Sequence, residues 1–167
     1  MSDWEKIALI ASAIVFAGFL VWRMRPALSA ASRATAAELD EAKKRLAAAK
    51  DDAERAKALA DAGDACARLG RMTGAVGFYR RALRADPLSK ELVERAANAL
   101  HRRPRALEDI LWRHLGAAPW TNGAARDAAI ASLRALEEVY ARRPRTRLRA
   151  KAVEHVLAAL GEAKPQA

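Results

Sequence analysis

A chain of 167 residues has room for one compact domain, or for a small domain with an anchor. Hydrophobic residues make up 52% of it, but 43 of those positions are alanine and aromatics are only 5%, which excludes a sandwich or barrel and leaves an all-α chain. The formal charge of +10 points to an acidic partner or an anionic surface, and a single cysteine makes no internal disulfide.

The first element is apolar. Residues 7–22, IALIASAIVFAGFLVW, carry no charge and as a helix would reach about 24 Å. With the flanks Trp4 and Met24 the stretch attains the length that a bilayer core requires, and tryptophans stand at both ends as interfacial anchors. A secretory signal needs a basic start, whereas Asp3 and Glu5 outnumber Lys6 here and Arg23 and Arg25 follow the apolar run. The expectation is a retained transmembrane anchor over residues 1–25, in a single-pass membrane protein whose carboxy-terminal domain faces the cytoplasm. Residues 23–167 then hold 29 Lys and Arg against 18 Asp and Glu, so the remainder is the basic part.

Pro26 opens a small-residue linker over 26–35. Leu39, Ala42, Leu46 and Ala49 recur at helical spacing, which predicts an amphipathic helix from 36 that packs on its successors. Asp51 with Glu54 forms a capping-box pattern, so a new helix starts near 52 and ends at Leu69-Gly70. The next runs over 72–85 and stops at Asp86-Pro87; Ser89 caps another through Leu100; Pro104 opens a fourth that ends before Gly116. After a connector at 117–123, a long helix over 124–141 breaks at Arg143-Pro144, and a last helix runs over 146–160 to Gly161. Short turns between such helices predict stacked antiparallel hairpins over 36–161, with a disordered tail at 162–167.

Residues 59–87 carry a more specific pattern: Leu59, Ala62-Gly63, Cys66, Gly70, Ala75, Tyr79, Ala82-Leu83 and Pro87. This segment resembles a tetratricopeptide repeat, with Leu59 and Cys66 departing from that family's aromatics. Gly63 and Ala75 allow two helices to approach, while Leu59, Cys66, Tyr79 and Leu83 fill the space between them. One repeat cannot bury its own face, so residues 36–50 and 104–160 read as diverged neighbours in a tetratricopeptide-like superhelix. A helical bundle that matches the pattern once is the alternative.

Catalytic signals are absent: there is no H-E-x-x-H, C-x-x-C or phosphate-binding glycine loop. No enzyme, cofactor or metal is expected. His101, His114 and His155 read as surface residues, and Cys66 as a buried apolar one. Lys57, Asp61, Asp64 and Arg68 form a polar stripe opposite the apolar face of their helix, and Arg95, Asn98 and Arg102 continue it on the next hairpin. The resemblance implies that these side chains line a concave groove, where paired cations suit an acidic peptide or a terminal carboxylate. The expected activity is that of a membrane-anchored scaffold or adaptor for a protein partner. The alternative is a basic helical module that binds lipid or nucleic-acid phosphates through Arg23, Arg25, Arg145, Arg147 and Arg149. Nucleic acid is the less expected ligand, because no aromatic residue lies among these arginines to stack a base. Trp112 and Trp120 bracket the end of a helix and read as packing residues.

Overall fold

In a computed structural model the chain forms two compact units, Met1–Arg33 and Ala34–Ala167. The structure describes residues 4, 10, 12–16, 19, 30–117, 120 and 123–161. Its helices are α1 (Ala30–Ala48), α2 (Asp52–Arg68), α3 (Met72–Ala85), α4 (Lys90–Leu100), α5 (Pro104–Ala117), α6 (Gly123–Ala141) and α7 (Arg147–Ala159), with a 3-10 turn at Pro144–Thr146. No strand occurs among the described residues, so the fold is all-α.

In the first unit, the described residues 4, 10, 12–16 and 19 are helical, and Ile14, Val15 and Phe16 are exposed. Among the described residues no helix is long and apolar enough to cross a membrane. This overturns the expected single-pass placement with a cytoplasmic carboxy-terminal domain. A bilayer core asks for about 20 consecutive apolar residues in one helix, and the two 19-residue helices, Ala30–Ala48 and Gly123–Ala141, carry seven and five charged residues. Trp22, Arg23 and Arg25 lie outside the described residues, as does the expected tail at 162–167. The stretch 26–35, expected as a linker, is helical from Ala30 onward, as its alanines favour.

Local chemistry sets the helix ends of the second unit. Asp51 Oδ1 accepts the Glu54 N–H at 2.6 Å, while Glu54 Oε2 accepts the N–H of Lys50 at 3.1 Å, one residue earlier than in the reciprocal capping box. Ser89 Oγ caps α4 by accepting from Leu92 N at 3.3 Å. At the end of α2, Gly70 adopts φ +73°, its N–H reaches Ala67 O at 3.0 Å, and Arg71 N–H reaches Cys66 O at 2.8 Å. This pair of bonds is a Schellman closure, and the left-handed backbone at its centre favours glycine.

Three turns reverse the chain, pairing α2 with α3, α4 with α5 and α6 with α7; α4 also packs against both α2 and α6, and α3 against α5. The first hairpin is the tightest. Leu59, Gly63, Cys66, Ala75, Tyr79, Ala82 and Leu83 are all buried in it, and Pro87 is half-buried in the turn that follows. Gly63 makes room for one particular side chain, because a Cβ there would stand 2.8 Å from Tyr79 Cε2.

His114 corrects the surface reading. It is 6% exposed, lying on α5 among Leu107, Ile110, Leu111 and Leu115. Its Nε2–H donates to the carbonyl of Pro87 at 2.8 Å, and Nδ1 lies 2.9 Å from the Ser132 hydroxyl. The imidazole therefore ties the turn between the first two hairpins to α6, and satisfies a carbonyl that burial would leave without water.

Candidate functional site

Two of the polar stripes read from the sequence meet across the α2–α4 seam. Arg95 Nη2 lies 2.8 Å from Asp61 Oδ1, and its Nε donates to Asp64 Oδ2 at 3.1 Å. Arg45 of α1 reaches the other oxygen of Asp61 at 2.8 Å, and the Tyr79 hydroxyl donates to Asp64. Arg68 pairs with Glu38 of α1. Burial opposes the charge of Arg95, but its hydrogen bonds to Asp61 and Asp64 prevail and hold the guanidinium above its ordinary pKa. Burial, reinforced by Asp64, pushes the Tyr79 phenol well above its usual range. Thus Asp61, Asp64 and Arg95 are engaged within the fold and Arg68 is paired at an exposed position, whereas Lys57, Asn98 and Arg102 are exposed.

The open groove lies one helix further on. A cavity of about 730 Å³ runs between α4 and α6. Its floor is small and apolar, from Ala97, Leu107, Ile130, Ala131 and Ala135. Its rim carries both signs, with Lys90 and Glu94 paired at 3.6 Å and Arg142 and Glu138 at 3.3 Å, each pair four residues apart on an exposed helix surface. Of the seven residues read as groove-lining, only Asn98 borders this cavity.

A second polar cluster joins α5 to the α6–α7 turn. Glu108, mostly buried, receives Arg149 Nη1 at 3.0 Å, Arg143 Nη1 at 3.9 Å and the Tyr140 hydroxyl at 2.8 Å. The indole N–H of Trp112 donates to that same hydroxyl at 2.8 Å. Burial raises the Tyr140 pKa, the Trp112 bond works the other way, and Glu108 adds to the rise. Arg149 is consequently occupied, while Arg145 and Arg147 remain exposed. Trp112 packs only in part, and Trp120 is half-buried with its N–H on Leu115 O at 2.8 Å.

No family model, no curated protein and no solved structure matches this chain. The site is therefore read from its own chemistry. Among the described residues no group of three His, Cys, Asp or Glu side chains is arranged to hold a metal ion. Cys66 is buried against α3, and that burial raises its thiol pKa despite Arg71 and Lys43. A raised pKa and lack of access leave little reactive thiolate.

Sequence periodicity missed both the α4–α6 groove and the Glu108 cluster. The local signal for the groove was the pair of alanines on α6 at 131 and 135, too short to fill the space opposite α4. Nothing local linked Trp112 with Tyr140, 28 residues away.

Proposed function

We propose that the helical domain is a tetratricopeptide-like scaffold that holds a segment of a protein partner in the groove between α4 and α6. The observation that carries this reading is the groove itself: an apolar floor between the first helices of two successive hairpins, edged by charges that pair weakly. Exposed pairs four apart on one helix contribute only about 0.3–0.5 kcal/mol, so Arg142 and Lys90 can exchange Glu138 and Glu94 for a partner carboxylate at little cost. The excess of basic residues favours encounter with an acidic segment. The order of helices after Pro87 and the first-helix contacts also support the repeat resemblance.

A displayed library of random peptides selected against the full-length chain tests the reading. Binders should be acidic with small apolar residues. Ala135→Trp, which fills the floor, should abolish their binding, and Arg80→Ala on the exposed surface of α3 should leave it unchanged. Peptides that still bind Ala135→Trp, or the absence of any selected peptide, would refute the groove as a partner site.

A further inference from the structure

The outer face of α7 is apolar where the end of a helical stack should be polar. The helix packs along α6. Val153 and Leu157 are buried in that contact and Arg149 turns back to Glu108, which fixes the rotation of α7 about its axis. Leu148, Ala152, Val156 and Ala159 follow one another at steps of four, four and three residues and so form a stripe turned away from the core. All four are exposed, Leu148 to 84% and Val156 to 38%. In stacked-hairpin folds a terminal unit that faces water alone carries a polar outer surface, so this stripe calls for a cover.

The stripe is complementary to itself when a second α7 runs antiparallel against it. About a twofold axis beside Ala152, the two alanines meet at the crossing and let the helix axes approach to about 8 Å. Leu148 then lies against the partner's Val156 and Ala159. Lys151 and Glu154 are exposed along one edge of the stripe. In an antiparallel twofold pair like edges meet, so Lys151 comes beside the partner's Glu154 and Glu154 beside the partner's Lys151. Arg147, also exposed, arrives at the last turn of the partner's α7, where the helix dipole favours a cation. Each contact occurs twice, as an isologous interface requires. An anionic lipid or nucleic-acid surface would instead meet the Glu154 carboxylate, and a convex helix face offers a small molecule no cleft.

We propose that a second copy of this chain covers the stripe, the two α7 helices pairing antiparallel about a twofold axis beside Ala152. The pairing does not depend on the peptide groove. One helix face covers less than the roughly 1,200 Å² of a stable complex, so the association is weak and set by concentration. Air oxidation of the full-length Ala152→Cys variant, followed on non-reducing gels over a range of protein concentrations, provides the test. A cysteine beside the axis meets its own copy within the roughly 4.4–6.8 Å between Cα atoms that a disulfide spans. Cys66 is buried and does not compete. Glu91→Cys, exposed on α4, is the control and should link at least about tenfold more slowly. In the Ala152→Cys chain, Leu148→Glu should slow linking at least about tenfold. Lys151→Glu should slow it about fivefold, and adding Glu154→Lys should restore it. These side chains are exposed, so the variants keep the fold. Equal linking at positions 91 and 152, as random collision or association through another part of the chain would give, overturns the proposal. Linking that Leu148→Glu leaves unchanged, or a charge exchange that fails to restore it, equally overturns it.

Discussion

Gly63→Ala probes the closest approach in the α2–α3 hairpin. The new Cβ would stand 2.8 Å from Tyr79 Cε2, 3.0 Å from Cδ2 and 3.3 Å from Cζ, so the ring must retreat by about 0.6 Å to restore ordinary contact. It has no room to do so: Tyr79 is fully buried, and its hydroxyl is held by Asp64. Overpacking of this kind costs about 1–3 kcal/mol, while replacing a helical glycine by alanine returns up to about 1 kcal/mol. The expected net loss is about 1–2 kcal/mol, or a Tm lower by roughly 4–8 °C for a domain of this size. Gly77→Ala is the matched control, since nothing lies within 4 Å of a Cβ there; it should raise stability by about 0.5–1 kcal/mol. Urea and thermal unfolding followed by far-ultraviolet circular dichroism measure both. If the two variants were equally stable, the tight Gly63–Tyr79 contact would be refuted. In a Tyr79→Leu background the Gly63 penalty should largely vanish, because the coupled partner is gone.

Arg95→Leu should lower the unfolding free energy by about 2 kcal/mol, since Asp61 and Asp64, each less than a third exposed, lose their shared cation. Arg55→Ala, which removes only an exposed pair with Asp52, should shift the urea midpoint by the equivalent of under about 0.5 kcal/mol; equal shifts would contradict the seam. Cys66 should resist a thiol reagent in the native state and react at the rate of unfolding in urea; fast native labelling would place it at the surface. Tyr79 and Tyr140 are held protonated by the fold, whereas unfolded tyrosine loses its proton near pH 10. Above that pH the unfolded chain binds fewer protons than the native one, so stability should fall as pH rises from about 9 to 11. Tyr79→Phe should flatten that fall in urea titrations, and an unchanged slope would contradict the assigned burial of this phenol.

Helix ends were legible because their causes are local. Asp51, Ser89 and Gly70 each act on groups within five residues, and spacing reveals such pairs directly. Burial in the first hairpin was legible for the same reason, since Leu59, Cys66, Tyr79 and Leu83 recur at helical intervals on two adjacent helices. His114 was not, because the groups that make its burial tolerable, Pro87 O and Ser132 Oγ, lie 27 and 18 residues away. Periodicity placed Asp61, Asp64 and Arg95 on polar stripes, but a stripe looks alike whether it meets solvent or a complementary stripe. Only the packing of α4 on α2 distinguishes these cases. The apolar run at 7–22 shows another limit, since composition implies a preference for burial without specifying a membrane as the place of it.

The location of the groove follows from how α4 distributes its charges. Toward α2 it sends Arg95, whose two carboxylate partners, with Arg45 behind them, balance the seam and close it. Toward α6 it presents Ala97, opposite Ala131 and Ala135, and these methyl groups leave a gap. Two pairs on its rim run along single helices, Lys90–Glu94 and Glu138–Arg142. A half-buried pair between helices loses about 2 kcal/mol when one member is removed, whereas an exposed pair along one helix loses a fraction of that. A ligand therefore cannot compete for Arg95 without loosening the stack, yet it can take Arg142 or Lys90 while the stack remains whole. The same side-chain chemistry closes one seam of α4 and leaves the other open.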